Sequence, residues 1–332
     1  MSDQELDARE VLTKVVDTIG GARREGQEHM VDAVYEALTD EGHLMVEAGT
    51  GTGKSFGYLV PVMVWAAQSD QRATISTATL ALQRQIMQQD APAVAQAIKD
   101  VYDVHVDVAL LKGWSNYACL RKVDGGYPEE DALLSRAEGE MGATATGEDV
   151  VRAREWALNS DTGDRDDLVP GVSDRAWQQI SIQKRECIGE SCPLRHECFP
   201  LRARAKADDA DIVVTNHALL GIQAAGTPVL PESHAYVVDE AHDLVDRVTS
   251  QLTRSIAGYD LRSLARMLRQ AGLDDEGLPD LSEDLSDALG ETGEGRILAL
   301  SDGLNDVVAR ILGKIQAAGE AVSSLSGGNE EQ

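Results

Sequence analysis

Along the chain, short unbroken apolar runs alternate with stretches in which apolar residues return every three or four positions. The runs His43 to Val46, Ala73 to Thr77, Val104 to Leu111, Asp211 to Thr215 and Ala235 to Asp239 have the length of buried strands. The segment after Lys54 and the long stretch from Leu80 to about Lys99 carry helical spacing. This βα alternation predicts a mostly parallel α/β sheet with ligands along the C-terminal edge of its strands. Between Gly113 and Lys206 the alternation fails, which predicts an inserted, mainly helical subdomain. Past Gly258, helical stretches at Tyr259 to Ala271 and Ile297 to Ala318 flank an acidic linker, and Ser323 to Gln332 reads as a frayed tail. The resulting division is one lobe from 1–112 and 207–257, an insertion at 113–206, and a helical C-terminal segment at 258–332.

Composition narrows the function classes. The 332 residues are 42% hydrophobic and carry a formal charge of -27, which argues against a uniformly basic nucleic-acid coat but leaves room for a local basic channel. From Leu273 to Gly295 there is no Lys or Arg, so that stretch is expected to be solvated. Met1 to Glu10 has no apolar core, and the longest apolar stretch, Tyr58 to Ala67, is too short for a bilayer. A cytoplasmic location with no membrane partner is the expectation.

The chemistry is concentrated at strand ends. Gly49, Thr50, Gly51, Thr52, Gly53, Lys54 and Ser55 follow the first apolar run and open a helix, the context of a phosphate-binding P-loop. Glycines let backbone N–H groups turn toward an anion, and the helix start adds the positive end of its dipole. Lys54 then suits the β- and γ-phosphates and Ser55 suits Mg²⁺. At the end of the last strand, Asp239 and Glu240 place one carboxylate for a metal-bound water and one to activate the attacking water. Thr77, Thr79 and Gln83 are polar groups at a strand end and helix start, suited to phosphate and sugar contacts or to capping.

All four cysteines, Cys119, Cys187, Cys192 and Cys198, fall in the insertion. Their concentration where the core pattern is weak suggests a metal that supplies local folding energy. Their spacing leaves zinc and a [4Fe–4S] cluster both open. His196 reads as a polar neighbour. Arg121, Lys122, Lys184, Arg185, Arg195, Arg202, Arg204 and Lys206 suggest a basic face, with Trp114, Tyr117, Trp177 and Phe199 available for base stacking.

Taken together, the P-loop, Asp239-Glu240-Ala241-His242 and the cysteine order resemble the superfamily 2 iron–sulfur helicases, in the bacterial DinG-like branch related to the XPD helicases. Lys112 to Cys119 resembles the lead-in to that family's first cluster ligand, and Thr77 to Gln83 its single-strand-binding segment. Asp211 to Leu220, which includes Asn216, resembles the segment before the acidic box, and Gln27 stands where the family places an adenine-reading glutamine. Trp114 departs from the family, which often carries a basic residue there.

The resemblance implies a RecA-like P-loop sheet with an inserted iron–sulfur domain. It also implies ATP, Mg²⁺ and a [4Fe–4S] cluster as cofactors, a catalytic set of Lys54, Asp239, Glu240 and His242, and DNA contacts by Thr77, Thr79, Gln83 and Asn216. The implied activity is 5′-to-3′ ATP-dependent DNA unwinding of a repair or replication type. Its implied partners are single-stranded, forked or displaced-strand DNA. A second motor lobe with its arginine is not recognisable here, so 258–332 is compared at most with the start of the family's arch insertion. Two other classes remain open: a cluster-bearing nucleic-acid-binding protein, and a P-loop ATPase with structural zinc.

Overall fold

In the computed structural model the described residues are 6–49, 52–125, 145–253, 256–270, 272–275, 277–292, 295–296 and 299–327. Two compact units are present, Met1–Leu252 and Thr253–Gln332.

The first unit is built on four parallel strands in the order β2-β3-β1-β4, with β1 Ala73–Thr77, β2 Val108–Leu110, β3 Ile212–Asn216 and β4 Ala235–Val238. In the register, Ala73 stands beside both Ile212 and Ala235, so β1 is central and its five residues are all buried. On one face lie α1 (Ala8–Thr18), α2 (Glu25–Thr39), α3 (Lys54–Ser69) and α5 (Ala91–Tyr102), which share one core with β1 and β3. The residues of α3 from Gly57 to Ala66 are all buried, as expected of a helix apolar on every side. Gly57 permits this packing, since a Cβ there would stand 2.7 Å from the Met30 sulfur. In α1 the buried Val11, Leu12, Val15 and Val16 form one stripe, and Asp7 caps the helix by accepting from the Arg9 N–H.

Three expected elements differ in detail. The stretch from Leu80 is α4 (Leu80–Gln85), then a π-helical turn at Ile86–Asp90, then α5; Pro92, which has no N–H for the preceding turn, follows that change of register. The strand expected over 104–111 is shortened to β2, because the Asp107 N–H bonds the Asp211 carboxylate at 2.7 Å. The run His43 to Val46 joins no strand. Its residues are exposed, Met45 by 98%, and β4 pairs on one side with β1. Apolar character alone does not make a strand when no neighbouring strand meets its N–H and C=O groups.

The insertion has a core of its own, which the sequence pattern understated. Tyr117, Ala118, Val123, Trp177, Ile180 and Phe199 bury together with Ala153 and Ala157 of α7 (Ala145–Leu158). The remaining helices of this region are α6 (Leu120–Val123), α8 (Asp174–Ile180) and α9 (Phe199–Asp209), with α10 (His217–Ala224) following β3. Tyr117, Trp177 and Phe199 are thus core residues and not open stacking faces; the Trp177 indole N–H donates to the Ser115 carbonyl at 2.7 Å.

In the second unit α12 (Gly258–Gln270), α13 (Leu278–Thr292) and α14 (Asp302–Gly327) follow α11 (Leu244–Leu252) in the chain. The acidic stretch expected to be a solvated linker is therefore a helix over most of its length. Leu278, Leu281 and Leu285 are buried against Leu261, Ala265, Leu268, Leu304, Val307 and Ile311, while the carboxylates occupy the intervening positions.

Candidate nucleotide and cluster sites

The topology brings the two strand-end motifs together across most of the chain. α3 begins at Lys54, behind Gly53 in the left-handed region at φ 79°, and β4 ends one residue before Asp239. The Lys54 ammonium donates to Glu240 Oε1 at 2.8 Å. Hydrogen bonding to Lys54 holds the Glu240 carboxyl below its usual pKa, and the same bond raises that of Lys54. Glu240 itself has φ 54°, a left-handed conformation uncommon for a residue with a Cβ and frequent at functional sites.

Asp239, nearly buried, accepts from the Tyr58 hydroxyl at 2.9 Å and from the Glu240 backbone N–H at 2.9 Å. Burial first, then the charge of Asp239, pushes the Tyr58 phenol well above its usual range, so it remains a donor. Tyr58 and Asp90 both lie beside the Ser55 hydroxyl, and burial raises the Asp90 carboxyl. Neither Tyr58 nor Asp90 belongs to a sequence motif of the site. Tyr58 sits one helical turn after Lys54 and Ser55, the spacing that places it on the same face, whereas nothing local marks Asp90.

Gln27 is buried and donates from its amide to the Gly53 carbonyl at 2.8 Å. A Cβ on Gly53 would meet that amide nitrogen at 2.3 Å, so glycine is required there on two counts. Thr52 closes the loop by donating to the Gly49 carbonyl at 2.9 Å. Thr50 and Gly51 lie outside the described residues. His242 is exposed, with Nδ1 3.5 Å from Glu240 Oε2.

The expected DNA-contacting side chains are placed differently from one another. Thr77 is fully buried, its hydroxyl directed to the Thr215 carbonyl, so it does not meet the surface role expected of it. The side-chain oxygens of Thr79 and Asn216 cap helices, accepting from Leu82 N at 3.2 Å and Leu219 N at 2.8 Å. Gln83 is 2% exposed, and neither amide atom has a partner among the described residues.

Cys119, Cys187, Cys192 and Cys198 line one cavity of about 40 Å³ together with Trp114, Leu120 and Leu201. Each is free and half-buried. Burial raises the Cys119 and Cys198 thiols, and the neighbouring cysteines raise them further. Backbone N–H groups point at the sulfurs, among them Gly189 to Cys187 at 3.4 Å. Among the described residues no three ligating side chains close on a single ion. His196 is exposed, and of the expected basic face Lys122 donates to the Ser181 carbonyl at 2.8 Å and Arg204 to the Val229 carbonyl at 2.9 Å.

No family model matches the chain. Individual proteins do. It is 43% identical over 307 residues to the ATP-dependent helicase DinG of Mycobacterium tuberculosis H37Ra, an alignment that takes in 90% of this chain and 46% of that protein. It is 36% identical over 249 residues to the ATP-dependent DNA helicase YoaA of Escherichia coli K12, covering 73% of this chain and 36% of that one. A solved structure titled truncated XPD aligns with a TM-score of 0.42 at 13% identity, over 87% of this chain and 76% of that one. The chain spans about half the length of the mycobacterial relative. With the phosphate loop and the acidic box joined in one site on a parallel sheet, and nine-tenths of its length alignable to DinG, the chain belongs to the DinG-like helicase family.

Proposed function

We propose that this chain forms the nucleotide-binding and cluster-bearing part of an ATP-dependent DNA helicase. The observation that carries the reading is the 2.8 Å contact between Lys54 and Glu240, 186 residues apart, which supports reading them as a phosphate-binding cation and the base of one site. In this reading Lys54 is the group that ATP phosphates recruit. Ser55 and Asp239 would hold Mg²⁺, with the Tyr58 hydroxyl orienting Asp239. Taking Lys54 away releases Glu240 to accept a proton from the attacking water, so the ion pair keeps the base occupied until nucleotide arrives. Gln27, whose amide nitrogen is engaged by the Gly53 carbonyl, is read as the side chain that senses adenine.

The four cysteines suit a [4Fe–4S] cluster, because thiols set around a space leave room for a core between them and backbone N–H groups stabilise the thiolates. The cluster would supply cross-linking within the insertion. Single-stranded DNA, at forked or displaced-strand structures, is the proposed substrate, and the second lobe with its arginine would come from polypeptide beyond these residues. No helix among the described residues is long and apolar enough to cross a membrane, and a cytoplasmic site of action accords with DNA as substrate.

ATP hydrolysis by the full helicase with and without single-stranded DNA tests the reading. Lys54→Ala should lose nucleotide binding, whereas Glu240→Gln should retain binding and lose turnover by two or more orders of magnitude, roughly the loss typical of a general base. Near-wild-type hydrolysis by either variant refutes the assigned roles.

A further inference from the structure

His217 is the first residue of α10 and is 1% exposed. A histidine withdrawn from water is costly unless its ring nitrogens are met. Its Nδ1 lies 2.7 Å from the Ser76 hydroxyl of β1. Its Nε2 is buried and has no partner among the described residues.

The surroundings of the ring belong to the acidic box. The Ser76 carbonyl accepts from the Asp239 N–H at 2.9 Å, so the residue that meets Nδ1 also anchors the end of β4. The backbone of Glu240 and of Asp239 lies beside the ring. α10 is packed closely on α11, the helix that follows the box, since a Cβ on Gly221 would stand 3.0 Å from the Val248 side chain.

Burial lowers the His217 pKa, so the ring is neutral and carries a single proton. Backbone oxygen beside the ring repels a bare nitrogen lone pair and attracts an N–H. The tautomer that suits these surroundings has its proton on Nε2, with Nδ1 accepting from the Ser76 hydroxyl. That leaves a buried donor unmatched beside a carbonyl with room for it. The Glu240 carbonyl accepts from the Asp243 N–H at 3.0 Å and keeps a second lone pair. Glu240 is meanwhile tied through its carboxylate to Lys54 at 2.8 Å and stands at φ 54°. An unmatched buried donor carries a free-energy cost that is recovered when its partner arrives.

We propose that His217 is a positioning residue for Glu240: when nucleotide draws Lys54 away, the His217 Nε2–H takes the second lone pair of the Glu240 carbonyl and fixes the turn that aims the carboxylate at the attacking water. The proposal rests on the reading of Glu240 as the base. Asparagine and glutamine separate the two ring nitrogens, because the asparagine amide stands near Nδ1 and the glutamine amide near Nε2. In the full helicase with single-stranded DNA, His217→Asn should lower kcat for ATP about tenfold, the effect of one neutral hydrogen bond, and leave KM for ATP unchanged. His217→Gln should stay within about threefold of wild type in kcat even where it melts lower, since it gives up the Ser76 contact.

A merely structural role gives the opposite order, with kcat following the melting temperature. Equal turnover of the two variants, or asparagine ahead of glutamine, therefore overturns the positioning role and leaves the reading of Glu240 intact. Near-wild-type hydrolysis by Glu240→Gln overturns both. In the unaltered protein, NMR of isotope-labelled histidine reports the tautomer however the variants fold, and a proton on Nδ1 of His217 likewise overturns the proposal.

Discussion

Replacing Lys112 by methionine tests how the insertion is fixed to the sheet. The lysine side chain is 3% exposed and lies 2.6 Å from both Asp164 (7% exposed) and Asp166 (23% exposed), so it neutralises two carboxylates withdrawn from water. Its own backbone N–H donates to the Tyr117 hydroxyl at 3.1 Å, and Arg84 of α4 donates to the Asp166 carbonyl at 2.8 Å, so the same point joins the sheet, the insertion and α4. Methionine keeps the volume and removes the charge, leaving the carboxylates buried without a counter-ion. Breaking a buried pair in this way costs about 3–5 kcal/mol.

Burial already raises the Asp164 carboxyl against the opposing pull of Lys112, and without the lysine it rises further. A carboxyl whose pKa is higher folded than unfolded binds more protons in the native state. Its contribution is then greatest in acid and is lost as pH rises through the folded value. The deficit of Lys112→Met should accordingly be largest near neutrality and shrink toward pH ~5. Three of the four tryptophans, Trp114, Trp156 and Trp177, lie in the insertion, so denaturant unfolding followed by tryptophan fluorescence reports on this region. Adding Asp164→Asn should recover part of the loss. A deficit under about 1 kcal/mol, or an unchanged deficit in the Asp164→Asn background, would refute the argument.

Two further outcomes follow from particular contacts. Gly163→Ala should destabilise the insertion by about 1–3 kcal/mol, because Gly163 sits at φ 61° and a Cβ would meet the Phe199 ring at 2.2 Å; a melting profile equal to wild type would show that the ring is free to move. Cys192→Ser should lower bound iron after anaerobic preparation and loosen the insertion to proteolysis, and stoichiometric zinc in the unaltered chain would replace the cluster by a zinc site.

Much of the site was legible from residues alone because its chemistry depends on local grammar. Gly53 must adopt a positive φ, Lys54 must follow it at a helix start, and Asp239 and Glu240 must end a strand, so each motif is written in adjacent letters. β1 matches its apolar run to the residue, because both of its faces and both of its edges are covered. Where a property depends on what stands opposite, the letters were insufficient. His43 to Val46 is as apolar as a strand yet joins no strand among the described residues. The acids of α13 give the look of a solvated linker, while the leucines at positions 278, 281 and 285 bury one face of a helix. Thr77 looked like a surface contact until β3 and β4 enclosed its strand. Tyr58 and Asp90 come to the candidate nucleotide site only because α3 and the π turn meet near β4. Sequence fixed what each segment can do, since covalent chemistry and backbone preference are local; which groups share an environment was decided by tertiary packing, since burial and Coulomb forces act between residues far apart along the chain.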